Sequence, residues 1–276
     1  MTDDKLNTIE VRQGRIREVL QEIIRGEVLP RVFETNTPLN ENRDFDTSHL
    51  PTETVQRFQQ LVLEQDVPAC LELVHQLEAS GFSLRSLCLG LFTDTAREFG
   101  ERWLRDELGF AEVTIGLGTL HIIVHQLAAV DKTIDPSGNR HHILLASPPG
   151  EQHLLGILIV SKVFEMEGWL VTGGPDLRTG TELKEIVGKT WFDIIGLTAS
   201  TEERAMALKP EILDLRAASL NQSVQVLVGG NGFSNHPGIS RDIGADDLAD
   251  DAEDAIIKAT MLLDALEQAT RQEASG

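Results

Sequence analysis

Apolar positions recur at three- and four-residue steps through the first half of the chain, then gather into short continuous runs in the second, so two architectures follow one another. The earliest periodic stretch carries Ile9, Ile16, Val19, Leu20, Ile23 and Ile24 and stops before Gly26 and Pro30, which predicts one amphipathic helix. Residues 31 to 53 are rich in Asn, Asp, Thr and Pro without a sustained period and read as a linker, so residues 1–53 form an N-terminal helix and linker. Four helices are then expected at 53–64, 66–79, 83–102 and 109–130. Ser83 is placed to cap the third, whose face is Leu84, Leu87, Cys88, Leu91, Thr95 and Phe99. The fourth aligns Val113, Leu117, Leu120, Val124 and Leu127, and Gly116 and Gly118 would admit a neighbour closely. Short turns between such helices make an antiparallel bundle over residues 54–130. The polar connector 131–140 is the natural domain boundary.

Beyond it, strand-like runs alternate with helical ones. Segments 142–147, 169–173, 191–199 and 224–230 are apolar, partly β-branched and bounded by Gly, Pro or Ser, as buried parallel strands are. Helices are expected at 152–167, 179–189 and 203–219, with a short strand near 245–248 and a closing helix from 250 to about 267. Residues 141–276 therefore read as a doubly wound, flavodoxin- or Rossmann-like α/β domain with a parallel sheet. Such folds bind ligands outside the carboxyl ends of their strands, here loops 147–156, 173–178, 198–203 and 229–237.

Composition narrows the classes of function. At 276 residues there is room for two domains. The longest apolar run, Leu154 to Val160, is far short of a bilayer crossing, so no membrane span is expected. The opening MTDDKLNTIEVRQGR lacks the apolar core of a signal peptide, and a cytoplasmic protein is expected. With 44 acidic and 24 basic residues the formal charge is −20, which repels phosphate backbones and disfavours direct DNA binding. Cys70 and Cys88 lie in helical segments without metal or redox spacing and read as buried, reduced thiols. No dinucleotide or P-loop glycine pattern and no GxSxG elbow is present. The paired His141 and His142 read as surface residues, and ADDLADDAED as a solvated helix start.

Three strand-end loops carry residues with chemistry. The first strand runs into SPPGEQHLLG, which sets Glu151, Gln152, His153 and Gly156 at the start of a helix. A loop histidine there suits metal ligation through one ring nitrogen while an acceptor fixes the other. The third strand ends in LTAS, with Thr198 and Ser200 two apart and available to hydrogen-bond a ligand. The fourth ends in VGGNG, where Gly229 and Gly230 leave the backbone bare.

The intervals between these groups, 41 residues from Gly156 to Thr198 and 28 from Ser200 to Gly229, closely resemble the cobalamin-binding motif of methionine synthase, B12-dependent mutases and corrinoid proteins. That motif runs Asp-x-His-x-x-Gly, Ser-x-Leu, Gly-Gly. The resemblance implies that His153 is the lower axial ligand of cobalt, with Glu151 in place of the usual aspartate. It further implies that Gly156, Gly229 and Gly230 make room for the nucleotide tail and that Thr198 and Ser200 line its slot. A bundle preceding the α/β domain also matches the family, where it covers the upper face of the corrin. In light-sensing members a Trp precedes Glu-His by about nine residues. Here Trp103 precedes Glu112 and Val113, so the Trp is kept and the histidine is not. His121 and His125, one turn apart, are the alternative upper ligands.

The stretches WLRDELGFAEVTIGLGTL and SPPGEQHLLG resemble the AerR/PpaA group of purple photosynthetic bacteria, over about residues 55–268. These are cobalamin-binding antirepressors of a CrtJ/PpsR-type repressor of photosynthesis genes. The resemblance implies a non-enzymatic, light-responsive regulator that holds adenosylcobalamin or hydroxocobalamin and contacts a repressor protein, with a homo-oligomer also compatible. The first helix and linker would be the partner contact. Two other readings share the plan: a corrinoid carrier protein of a cobalamin-dependent methyltransferase, and a haem sensor on the same fold.

Overall fold

The computed structural model describes residues 50–127, 140–234 and 238–273. The expected helix at 9–24, most of the first linker and nearly all of the connector 131–140 lie outside the described residues.

Four helical segments open the described chain. They are α1 (Thr52–Leu63), α2 (Val67–Ala79), α3 (Leu84–Leu87, a π turn at Cys88–Phe92, then Thr93–Leu104) and α4 (Phe110–Leu127). Asp66 caps α2 by accepting the Ala69 N–H, and Ser83 caps α3 by accepting the Ser86 N–H. The π turn was not legible in the sequence; just past its end, Thr93 Oγ1 donates back to the Cys88 carbonyl. Helix α4 is, on length and composition alone, long and apolar enough to cross a membrane, although Thr114, Thr119 and His121 break up its apolar runs. Its Val113, Leu120, Ile123, Val124 and Leu127 are buried in the bundle. Gly116 allows the close approach expected of it, since a Cβ there would lie 2.7 Å from the Phe99 ring. Gly118 does not: it is exposed and a Cβ would meet nothing.

The second half holds β1 (His142–Ser147), α5 (Leu154–Met166), β2 (Leu170–Arg178), α6 (Thr181–Lys189), β3 (Ile194–Thr198), α7 (Glu202–Ala218), β4 (Gln225–Gly229), α8 (Ile239–Ile243), β5 (Asp247–Ala249) and α9 (Ala252–Glu273). The sheet order is β2-β1-β3-β4-β5 with every pairing parallel, the doubly wound order expected. Strand β2 runs further than expected. Its register against β1 shifts between Leu145 and Ser147, and Gly173 and Gly174, both at positive φ, carry the chain through the irregularity. The loop expected at 173–178 is therefore absorbed into the strand. Trp191 to Asp193 fall before β3 rather than within it.

Alternation along β1 sends Ile143 and Leu145 to one side of the sheet and Leu144 and Ala146 to the other. On the first side a continuous core joins the bundle to the sheet through Leu87, Leu91 and Phe99, then Leu158 and Phe164 of α5 and Ala259 of α9. Full burial of each phenylalanine contributes about 2 kcal/mol or more. Arg85 at the start of α3 crosses the same boundary, pairing with Glu167 at 3.0 Å and Glu253 at 3.3 Å. The second side is closed by Leu183 and Val187 of α6, Leu208 and Ile212 of α7, and Phe233 and Ile239. His142 is not a surface residue as expected: its Nε2 lies 2.8 Å from Thr172 Oγ1 and its ring 4.3 Å from that of Phe192.

Candidate functional site

The site is built on the turn that follows β1. After Ser147 the chain passes Pro148, Pro149 and Gly150, the last at φ +79, and folds back so that the Glu151 N–H donates to the Pro148 carbonyl. This drives the Glu151 carboxylate inward, where its side chain is 1% exposed. Burial pushes its pKa up, but hydrogen bonds donated by His153 and Ser200 outweigh it and hold the carboxyl well below the usual carboxylate range.

Each oxygen has a distinct set of donors. Oε1 accepts the backbone N–H of Gln152 at 2.8 Å, the N–H of His153 at 2.9 Å and the ring Nδ1 of His153 at 3.0 Å. An ionised carboxylate can only accept, so Nδ1 carries the proton. In the neutral ring that tautomer leaves Nε2 with a bare lone pair, on a side chain that is 51% exposed. The glutamate's extra methylene therefore still orients the imidazole. Oε2 accepts the backbone N–H of Ser200 at 3.0 Å and its Oγ–H at 2.8 Å. One buried anion thus ties the β1 loop to the loop after β3.

The Ser200 hydroxyl, expected beside a ligand slot, donates to Glu151, a bond that the spacing alone does not show. Arg204 was missed by sequence reasoning. Its Nη2 donates to the Gly150 carbonyl at 2.9 Å, and its Nη1 lies 3.3 Å from Ser200 Oγ and 3.7 Å from Glu151 Oε2. A signal existed: Arg204 stands in the first turn of α7, where a cation opposes the helix dipole and needs another reason to be there.

Around this relay the remaining candidates fall in different places. Gln152 is exposed and contributes its backbone N–H. Gly156 lies three residues beyond His153 in the first turn of α5, exposed, with nothing within 4 Å of where a Cβ would stand. Gly229 and Gly230 serve the chain's own packing. A Cβ on Gly229 would sit 3.0 Å from the Ala249 carbonyl, and one on Gly230, at φ +98, would sit 2.6 Å from the Ala199 carbonyl and 2.7 Å from Thr198 Oγ1. Thr198 is half-buried at the end of β3. Trp103 stands at the far end of α3 in the bundle, its ring centroid 6.2 Å from that of Phe110.

His121 and His125 pair with each other, Nε2 to Nε2 at 3.2 Å. Burial, then the neighbouring His125, lowers the His121 pKa against the pull of Asp176. Among the described residues no cluster of three or more His, Cys, Asp or Glu could hold a metal ion. Both cysteines are buried, and burial pushes the Cys70 thiol up to about 11 and the Cys88 thiol up to about 12, so neither is a thiolate at neutral pH.

Residues 141–259 match the B12 binding domain. Over 173 residues the chain is 30% identical to a corrinoid protein of Desulfitobacterium hafniense, a match covering 61% of this chain and 76% of that protein. The chain belongs to the B12-binding domain family. It is also 28% identical over 183 residues to an uncharacterized 20.5 kDa protein in the bchF-crtJ intergenic region of Rhodobacter capsulatus, covering 65% of this chain and 93% of that one. The Methanosarcina barkeri monomethylamine corrinoid protein shares the fold, with a TM-score of 0.57 over 76% of this chain and 98% of that chain at 16% identity.

The residues present fit the group that a B12-binding domain takes. His153 offers an imidazole whose Nδ1 is pinned by a carboxylate, the arrangement that makes a histidine an oriented metal ligand. The open position at Gly156 adds no side chain beside it.

Proposed function

We propose that this B12-binding domain protein is a cytoplasmic, light-responsive transcriptional regulator, an antirepressor that acts on a CrtJ/PpsR-type repressor of photosynthesis genes and has no enzymatic activity of its own. The observation that carries the reading is mechanical. His153 is the N-cap residue of α5, and the body of α5 packs directly against α4 and the π turn of α3. A change in the pull on His153 Nε2 would therefore be felt by a helix that packs against the bundle. Cobalamin, as adenosylcobalamin or hydroxocobalamin, would supply a cobalt centre whose ligation responds to light or to exchange of its upper ligand. Glu151 holds the imidazole in one tautomer, Ser200 donates to Glu151 and Arg204 ties down the Gly150 carbonyl beside it, so the protein's part would be to hold His153 stiffly against the cofactor. The Rhodobacter capsulatus relative comes from the bchF-crtJ intergenic region, and the repressor partner is proposed with that setting in view.

A corrinoid carrier role for a methyltransferase is the second reading, favoured by the Desulfitobacterium hafniense corrinoid protein among the relatives. Capture on immobilised CrtJ/PpsR-type repressor separates the two. The regulatory reading predicts that protein incubated with adenosylcobalamin binds the repressor to an extent that differs between dark and illuminated samples. Equal or no binding in both, with methyl transfer from the protein to a partner enzyme's acceptor, would favour the carrier.

A further inference from the structure

Helix α7 is apolar on two faces. Ala205, Leu208, Ile212 and Leu215 are buried against the sheet. The opposite face presents Met206 (45% exposed), Pro210, Leu213 (60% exposed) and Ala217, at steps of four, three and four, and Leu220 (51% exposed) follows just past the helix end. A surface helix normally turns charge outward; this one turns out a seam with the a/d spacing of a coiled coil. With Pro210 and Ala217 at a, and Met206 and Leu213 at d, Lys209 falls at g and Asp214 at the following e. In a parallel pair of helices, g of one strand meets the next e of the other, so Lys209 would face Asp214 of the second copy, and the reverse, two opposite-charge contacts related by a two-fold axis. Lys209 is exposed and makes no ion pair among the described residues, while Asp214 pairs with Lys184 beside the seam.

We propose that this chain forms a homodimer by parallel, two-fold packing of α7 against α7 of a second copy. The charge pattern selects the occupant: it is complementary to itself in the parallel register. The seam lies on the sheet face away from the bundle, so the bundle and the Glu151 relay stay clear of it. Helix α7 also carries Arg204 in its first turn, which links the same helix to the cofactor loop.

The test is sedimentation velocity on the full chain across a concentration series, with circular dichroism to confirm that each variant is folded. The wild type should dimerise. Leu213→Asp should be monomeric, Lys209→Glu should raise the dissociation constant at least about tenfold, and Lys209→Glu combined with Asp214→Lys should recover most of that loss. In a parallel pair each d residue meets its own counterpart, so Leu213→Cys should cross-link under copper phenanthroline oxidation, the two native thiols being buried. A wild type monomeric at every concentration would overturn the proposal, and so would a dimer indifferent to Leu213→Asp. If the wild type is monomeric and Leu213→Asp makes residues 1–49 more sensitive to protease, the seam is covered by the chain's own N-terminal segment instead. A dimer lost in Lys209→Glu but not recovered by the swap would contradict the parallel register.

Discussion

A single buried carboxylate decides what the site can do. Glu151 gathers donors from His153, Gln152 and Ser200 and has Arg204 beside it, and each interaction favours its charged form. Because its folded pKa lies below the unfolded value of 4.5, Glu151 adds stability that is complete above that value and is lost as pH falls through the acid range. Glu151→Gln should therefore cost about 2 kcal/mol at neutral pH and flatten the acid limb of the stability curve, as urea unfolding at a series of pH values would show. A steeper acid limb than wild type would contradict the assignment. The same variant should lower corrinoid affinity by about tenfold to a hundredfold, the usual effect of removing the group that orients a ligating histidine. At this scale the sequence was only partly legible. The residue types and intervals single out Glu151 and His153, but a hydroxyl's direction depends on how two loops meet, so the bond from Ser200 to Glu151 is not readable from sequence. Arg204 gives only the signal of a cation in the first turn of α7, because two of its partners, the Gly150 carbonyl and Glu151, lie on a loop distant in sequence.

Among the elements, the helices of the bundle and the strands of the sheet follow from periodicity with small shifts at their ends. What periodicity could not show was local irregularity. The π turn in α3 leaves the three- and four-residue pattern nearly intact, and the extension of β2 through Gly173 and Gly174 looks like a loop in sequence because glycines usually mark one. The glycine pair of α4 makes the point in energetic terms. Both were expected to admit a neighbour, yet only Gly116 is covered. Gly116→Ala should lower thermal stability by about 1 kcal/mol or more as its methyl meets the Phe99 ring, whereas Gly118→Ala should raise it by about 0.5–1 kcal/mol through helix propensity alone. Thermal melts of the two variants beside wild type are the check. The same direction of change in both would show that α4 is packed otherwise.

Over the whole molecule, the parallel sheet in order β2-β1-β3-β4-β5 sets the turn after β1 beside the one after β3, and the relay from Gly150 to Arg204 exists because those two loops are neighbours there. The bundle is fused to the same body through one continuous core and the Arg85 contacts, so His153 sits at the end of a helix that belongs to both parts. The fold class was readable from the alternation of elements, while this fusion was not, since it depends on which face of α5 meets which helix. The most direct test of the account is the absorbance spectrum of the full chain after incubation in the dark with hydroxocobalamin or adenosylcobalamin and desalting, set beside His153→Ala. The account predicts retained corrinoid whose spectrum shifts, and whose amount falls, when His153 is replaced. Retention with an identical spectrum in the variant would contradict His153 as the ligand. No retained corrinoid in the wild type, or a haem band in its place, would contradict the assignment of this site to cobalamin.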